Sequence, residues 1–284
     1  GRTRARGLRG LGSHPGSRRS GRSGRIATVC CERTNDEVNQ RVVYCHGLPG
    51  SPGELGAFET SLPHVHGLDR LSRGEGSYEN TVLAAFDAMG VDEPVTIAGF
   101  SLGAMSAAYI AAKRGHLVGK LILISPAAPL ELGDFLPAMA GRPVFEAAQA
   151  GGVALRLFTA AQASLTALAP ELAIKAMFRR SPDAEKSLLA SPRFTDAVAA
   201  GLRTCLWERQ AAYRRELLAY VRPWAHVVRE IRCDTEIWSG ADDDWAPPAM
   251  SAAYKEQLGS RASLNICPGL GHYSTLRTAL AHWS

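Results

Sequence analysis

The sequence predicts an α/β protein that has a mostly parallel central sheet, helices on both faces of that sheet and an all-helical insertion. Short apolar runs bounded by turn residues alternate with segments of helical periodicity, which is typical of a parallel sheet. One long stretch breaks this alternation and shows no strand pattern. The chain has 284 residues, of which 46% are hydrophobic, so it can bury a sizeable core without disulfides or metals.

Five short apolar runs have the pattern of buried strands. In chain order they are 41–45 (RVVYC), 95–98 (VTIA), 121–124 (LILI), 235–238 (TEIW) and 263–267 (SLNIC). Between them, helical periodicity predicts helices over 78–89, 102–114, 224–231 and 248–258. The last of these opens on a proline, which suits the first turn of a helix.

Composition divides the chain into three parts. Residues 1–25 contain eight Arg and no acidic residue, and they have too few apolar side chains to offset the entropy of ordering, so we expect disorder. Residues 26–128 and 223–284 carry the alternating pattern and are predicted to form the core domain. Residues 129–222, called here the insertion, are rich in Ala and Leu at helical spacing, which predicts a helical cap.

The charge distribution argues against a nucleic-acid partner. The formal net charge is +5, but residues 26–284 carry 24 basic and 27 acidic side chains, a net charge of −3. No run approaches the roughly 18 apolar residues of a membrane-spanning helix. We therefore expect a cytoplasmic protein that acts on a small molecule. The basic first 25 residues leave organellar import open, and the oligomeric state is left open as well.

The six cysteines show no CxxC spacing and lie mostly in apolar stretches. This pattern favours buried free thiols over disulfides or a metal centre, so no metal site is predicted. Trp207, Trp224 and Trp238 are expected to pack in the core or in the cap instead of serving as platforms for a ligand.

A serine stands between two glycines in AGFSLGA, residues 98–104, directly after the strand pattern VTIA. A nucleophile on a sharp strand-to-helix turn has a strained backbone, and glycines two positions away avoid collisions with neighbouring elements. The context therefore predicts that Ser101 is a nucleophile. The following helix would direct free N–H groups toward an oxyanion formed there. A purely structural Ser101 is the alternative.

A serine nucleophile requires a base, and the base requires an orienting acid. The segment WSGADDDWAPP places Asp242, Asp243 and Asp244 after a predicted strand. The segment CPGLGHYS places His272 in the loop after the last predicted strand. The order serine, aspartate, histidine along the chain is the order expected for a nucleophile elbow in an α/β fold.

With these motifs the chain resembles the α/β-hydrolase family, over roughly residues 26–128 and 223–284. In that family the acid commonly lies three residues after the glycine that closes its strand. The resemblance therefore selects Asp243 as the acid, and Asp242 and Asp244 remain alternatives.

The resemblance also implies an oxyanion hole. The HGLPG segment after the first strand would place the backbone N–H of Leu48 beside that of Leu102, the residue after the nucleophile. One departure from the family concerns residues 64–77 (HVHGLDRLSRGEGS), which have few apolar positions and displaced glycines. We expect the sheet edge there to be short or irregular.

The function implied by the resemblance is that of a serine hydrolase that works through an acyl-enzyme, without a metal or organic cofactor. The Ala, Leu and Phe content of the insertion, including Phe145, Phe158 and Phe178, indicates a mostly apolar pocket. A small or medium carboxylic ester is therefore the expected substrate.

Three alternatives stay open. An aminopeptidase or amidase would need acidic groups for the ammonium of its substrate, and Glu171, Asp183 and Glu208 are candidates. A carbon–carbon bond hydrolase would use the same triad. A ligand-binding receptor or scaffold on the same fold is the non-enzyme alternative.

Overall fold

The computed structural model describes residues 41–58, 62–71 and 76–283. Its strands are β1 Val42–Cys45, β2 Val65–Gly67, β3 Val95–Phe100, β4 Val118–Ile124, β5 Asp234–Gly240 and β6 Ala262–Cys267. They form one six-stranded sheet in the order β2-β1-β3-β4-β5-β6, and every pairing is parallel. The predicted α/β class with a parallel sheet is confirmed.

The central strands explain the unbroken apolar runs in the sequence. Every residue of β1 and β3 is buried, although successive side chains of a strand point to opposite faces of the sheet. Both faces of the sheet centre are therefore covered. The edge strand β2 has only three residues, which are half-buried or exposed, in line with the short edge expected from residues 64–77.

Helices connect the strands. In the described residues they are α1 Tyr78–Asp87, α2 Gly103–Lys113, α3 Arg142–Gln149, α4 Gly152–Leu168, α5 Pro170–Met177, α6 Asp183–Lys186, α7 Pro192–Arg203, α8 Gln210–Tyr220, α9 Ala225–Glu230, α10 Pro248–Leu258 and α11 His272–Ala281. Helices α1, α2, α9 and α10 match the four predicted helices, with ends that differ by at most two residues. The sequence reasoning did not predict α11, and His272 begins this helix instead of lying in a loop.

Between β4 and β5 every described element is helical. A π-helical turn, Thr204–Glu208, separates α7 from α8. This turn directs Cys205 and Leu206 inward and leaves Trp207 56% exposed, so only part of the Trp207 side chain packs in the insertion. Trp224 and Trp238 are buried as expected.

Buried polar contacts fasten the insertion to the sheet. The Arg70 guanidinium, just after β2, donates to both carboxylate oxygens of Glu216 on α8, with distances of 2.7 to 3.2 Å. Both side chains are almost fully buried. At the end of α8 the Tyr220 hydroxyl donates to the carbonyl oxygen of Ala128 at 3.0 Å.

The described cysteines, Cys45, Cys205, Cys233 and Cys267, are free thiols. Cys30, Cys31 and the basic segment 1–25 lie outside the described residues. Within the described ranges no single helix has both the length and the apolar composition of a membrane span, although α4 and α5, bent by 120°, meet both criteria as a pair.

Candidate active site

Ser101 occupies the turn between β3 and α2 and has a φ angle of 56°. This left-handed conformation is unusual for a residue with a Cβ. Neighbouring backbone holds it in place: Ser101 N donates to Ile124 O at 3.0 Å, and Ser101 O accepts from Ala127 N at 3.1 Å. The strain predicted for this serine is therefore present in the structure.

The flanking glycines allow close packing around the turn. A Cβ on Gly99 would lie 2.8 Å from the Cα of Ala104 in α2. A Cβ on Gly103 would overlap the carbonyl oxygen of Cys45 at the end of β1. Any side chain at either position would push the helix away from the sheet.

His272 and Asp243 form a buried pair in the segments that follow β6 and β5. The Nδ1 atom of His272 lies 2.8 Å from Oδ2 of Asp243, and the exposure of the two side chains is 2% and 0%. The other oxygen, Oδ1, accepts the backbone N–H groups of Trp245 and Ala246 at 2.8 and 2.9 Å. An ionised carboxylate only accepts, so Nδ1 carries the hydrogen and Nε2 is left as a base.

The two neighbouring aspartates are placed differently. Asp242 is exposed. Asp244 is half-buried, and its Oδ1 accepts a long hydrogen bond, 3.4 Å, from the hydroxyl of Ser181 in the insertion. Burial first, and then the charge of Asp243, raise the pKa of Asp244 above its usual value. Of the three aspartates, only Asp243 contacts the imidazole.

Aromatic rings pack around the imidazole of His272. The ring of Phe100, the residue before Ser101, lies 4.6 Å from the His272 ring between centroids. Trp245 stacks on His272 at 6.0 Å and lines the same cavity as Ser101. No hydrogen bond joins Ser101 to His272 in the described part of the chain; catalytic hydrogen bonds are often long or poorly aligned before substrate binds.

A carboxylate from the insertion holds the start of α11. The side chain of Glu185 on α6 accepts the backbone N–H groups of Tyr273 and Ser274 at 2.6 and 2.9 Å. These are N–H groups of the first helical turn, which have no partner inside the helix. Burial alone would lower the pKa of His272, but the charge and hydrogen bond of Asp243, and then the charge of Glu185, raise it above its ordinary value.

The loop after β1 contains the predicted oxyanion donors. Leu48 and Leu102 line one cavity with Ser101. In the described ranges neither of their backbone N–H groups donates to another protein atom. The Glu54 carboxylate shapes this loop, because its Oε1 accepts from Gly47 N at 2.7 Å and from the Tyr44 hydroxyl at 2.6 Å.

The cavity beside Ser101 has a volume of about 350 Å³ and is walled largely by the insertion. Apolar residues dominate it and include Phe145 and Phe158, whereas Phe178 packs against Phe194 and does not line it. Arg179 and Arg180 also border the cavity. None of its described lining residues is acidic, so Glu171, Asp183 and Glu208 are not among them.

Sequence reasoning missed Glu54 and Glu185. Glu54 ends the segment CHGLPGSPGE. An acidic residue a few positions after a glycine-rich turn can accept backbone N–H groups of that turn, and this spacing was a usable signal. Glu185 gave no local signal, since it lies 88 residues before the N–H group that it accepts. Within the described ranges no cluster of three or more His, Cys, Asp or Glu is placed to hold a metal ion.

Comparisons with known proteins identify the class that this geometry belongs to. The model of the alpha/beta hydrolase family matches residues 35–280. The match spans most of the chain, and the chain belongs to this family. No curated protein sequence matches it significantly.

Solved structures with the same fold share little sequence with the chain. A thermophilic esterase from Thermogutta terrifontis is 18% identical, with a TM-score of 0.57 and coverage of 86% of this chain and 89% of the esterase. An enol-lactonase from Burkholderia xenovorans LB400 is 14% identical, with a TM-score of 0.58 and coverage of 86% and 88%. MenH from S. aureus is 17% identical, with a TM-score of 0.55 and coverage of 86% and 93%. Such low identity shows a common fold alone.

Proposed function

We propose that the chain is a serine hydrolase that cleaves a small or medium, mostly apolar carboxylic ester through an acyl-enzyme. The observation that carries this proposal is the buried bond from His272 Nδ1 to Asp243. These residues follow the carboxyl ends of β6 and β5, and Ser101 occupies a strained turn at the carboxyl end of β3. This arrangement leaves Nε2 of the imidazole as the base, as a serine nucleophile requires.

In the proposed mechanism Ser101 Oγ attacks the ester carbonyl while His272 Nε2 accepts its proton. Asp243 keeps the imidazole oriented and stabilises its positive charge. The backbone N–H groups of Leu48 and Leu102 donate to the oxyanion of the tetrahedral intermediate, and one such donor typically contributes about 3 kcal/mol. His272 then gives the proton to the leaving alcohol, and a water that it activates releases the acid.

The cavity supports an ester more than a peptide with a free amino group. A volume of about 350 Å³ with mostly apolar walls fits a small acyl or alcohol group. The ammonium group of an aminopeptidase substrate would need acidic partners, whereas the charged side chains that border the cavity are Arg179 and Arg180. Residues 129–222, which supply most of the walls, act as the cap in this proposal.

A panel of p-nitrophenyl esters of rising acyl length, run beside aminoacyl anilides, tests the proposal. We expect turnover of the shorter esters and a loss of at least about 10³-fold in kcat/KM for Ser101→Ala. Ser125→Ala is the matched control, because Ser125 is also a buried serine with a positive φ, 42°. Turnover of anilides without turnover of esters would contradict the ester assignment.

A further inference from the structure

Helix α4 exposes an apolar stripe to solvent. Its outward positions are occupied by apolar residues apart from Arg156 and Ser164. Leu157 is 70% exposed and Leu168 is 86% exposed. We define the apolar face by six exposed side chains: Val153, Leu157, Leu165 and Leu168 of α4, Leu172 of α5, and Trp207.

This exposure is unusual for a helix at a protein surface. The inward side of α4 buries Leu155, Thr159 and Ala163, so apolar residues lie on both its inner and its outer side. The outer side of a helix at a protein surface normally carries polar and charged residues. Six of the seven large hydrophobic side chains that are exposed in the described residues lie on this face, and Ile266 is the seventh. Such concentration marks an interaction surface.

The dimensions of α4 suit a surface that lies on a bilayer. The 17 residues of α4 give a length of about 25 Å, less than the roughly 30 Å of a hydrocarbon core. The chain then bends by 120° into α5. Because the inner side of α4 is packed in the insertion, the helix stays attached while its outer side meets a partner.

Positive charge lies beside the apolar face. A concavity next to the first turn of α4 is lined by four arginines, Arg156, Arg214, Arg215 and Arg222. In the described ranges Arg156, Arg214 and Arg222 form no ion pair with an acidic side chain. Burial, and then the charge of Arg156, lower the pKa of Arg214. An anionic group in the concavity would relieve this repulsion.

The net charge of the whole insertion is positive, like the charge of the concavity lined by arginines. Residues 129–222 carry 12 basic and 9 acidic side chains, whereas residues 26–128 and 223–284 carry 12 basic and 18 acidic ones. A negatively charged surface would therefore attract the insertion and repel the core domain. Two insertions placed face to face would instead bring like charges together, which disfavours a symmetric dimer through this face.

We propose that the apolar face binds the surface of an anionic lipid bilayer. Its leucines enter the boundary between headgroups and acyl chains, Trp207 lies at headgroup depth, and the four arginines contact lipid phosphates. Helices α4 and α5 also supply Phe158, Gln162 and Met177 to the candidate active-site cavity, so binding brings that cavity to the bilayer. Membrane binding by this face is a further function, and it does not depend on the proposed hydrolysis.

Sedimentation of the full chain with sucrose-loaded vesicles tests the proposal. We expect the protein to bind vesicles of phosphatidylcholine mixed with phosphatidylglycerol and to bind pure phosphatidylcholine more weakly. The double variant Leu157→Gln/Leu168→Gln should lower partitioning by at least about tenfold. Ile266→Gln is the matched control, because Ile266 is exposed on the core domain and its loss should leave binding unchanged.

Several outcomes would overturn the proposal. If the double variant bound vesicles as strongly as the wild-type protein, binding would be due to other basic segments, such as residues 1–25. A wild-type dimer that the double variant turns into a monomer, seen by sedimentation equilibrium, would show that a second copy covers the face. Leu172→Gln/Trp207→Gln repeats the test at exposed positions on other elements if the first variant does not fold. Binding is measured without turnover, so its failure leaves the hydrolase proposal standing.

Discussion

At Ser101 one residue combines backbone strain with close packing. A left-handed backbone on a residue with a Cβ costs about 1–3 kcal/mol, and the surrounding structure has to maintain it. Here the end of β4, the first turn of α2 and the segment after β4 all bond to this residue, and the glycines at 99 and 103 let the helix approach the sheet. Ser101 thereby lines the cavity.

The tight packing at Gly103 gives the first prediction. Gly103→Ala places a methyl group against the carbonyl oxygen of Cys45, so we expect the free energy of unfolding to fall by at least about 2 kcal/mol. Ester turnover should fall with it, because α2 moves away from β1. Gly115→Ala is the control, since no atom lies within 4 Å of the added methyl group there. If urea unfolding gave the same free energy of unfolding for both variants, the packing argument would be contradicted.

Single residues also mark the limit of sequence reasoning at the site. Ser101 and its glycines form a local pattern, so they could be predicted together. Three adjacent aspartates differ only in how the loop turns, and that turn depends on Trp245 and Ala246 donating to one carboxylate. The sequence therefore favoured Asp243 only through a family resemblance, whereas in the structure its carboxylate is the one bonded to His272.

Among the elements, α6 and α11 are joined through Glu185. This carboxylate satisfies the first turn of α11 and adds negative charge near His272. Because the two helices are far apart in the chain, no pattern in the sequence could reveal the contact. The position of the imidazole thus depends on the insertion as well as on the core domain.

The second prediction concerns the pH profile of kcat/KM. His272 has to be neutral to act as a base, and its pKa is raised, so the acidic limb should lie above the usual histidine range. Glu185→Gln removes a charge that raises this pKa, and the limb should therefore move to lower pH. Glu171→Gln, an exposed acid on α5, should leave the limb in place. A limb that stays fixed in Glu185→Gln would show that Glu185 has only a structural role.

The loop after β1 supplies the third prediction, which concerns stability. Burial raises the pKa of Glu54 to about 7, from the 4.5 expected for an exposed glutamate. Between these pH values the folded protein holds a proton that the unfolded chain releases, so the free energy of unfolding falls as pH rises through this window. The total decrease should be about 3 kcal/mol and should level off above pH 7. Urea unfolding from pH 4.5 to 8 measures it.

Glu54→Gln serves as the control for this slope. The amide oxygen still accepts from Gly47 and Tyr44, but the side chain no longer titrates. The variant should therefore lose this pH-dependent component while keeping the loop. An identical slope in wild type and variant would assign the effect to other groups.

In the molecule as a whole, the sheet and its helices could be predicted because their signals are local. Buried strands such as LILI are continuous apolar runs, and helices such as Pro248–Leu258 begin at a proline, which suits the first turn of a helix. The order of the helices in the insertion and the exposure of Trp207 could not be predicted, since apolar residues at helical spacing do not say which side is covered. Six apolar side chains of the insertion are exposed, although their spacing in the sequence resembles that of buried ones.

The fourth prediction tests how the insertion is held to the core domain. Arg70→Met leaves the Glu216 carboxylate buried without its partner, so we expect a loss of about 3–5 kcal/mol in the free energy of unfolding. Arg114→Met, which breaks the partly exposed pair with Asp87, should cost about 1 kcal/mol or less. The double variant Arg70→Met/Glu216→Met should regain most of the loss. Equal effects of the two single variants would contradict the role of burial.

Covalent labelling measures whether Ser101 is an activated nucleophile. Intact-protein mass spectrometry after incubation with an alkyl fluorophosphonate should show one phosphonyl adduct per chain, lost in Ser101→Ala and formed far more slowly in His272→Ala. Circular dichroism on the same samples confirms that each variant is folded. A folded wild-type protein without an adduct, or a Ser101→Ala variant that is labelled as fast as wild type, would contradict the role of Ser101 as nucleophile.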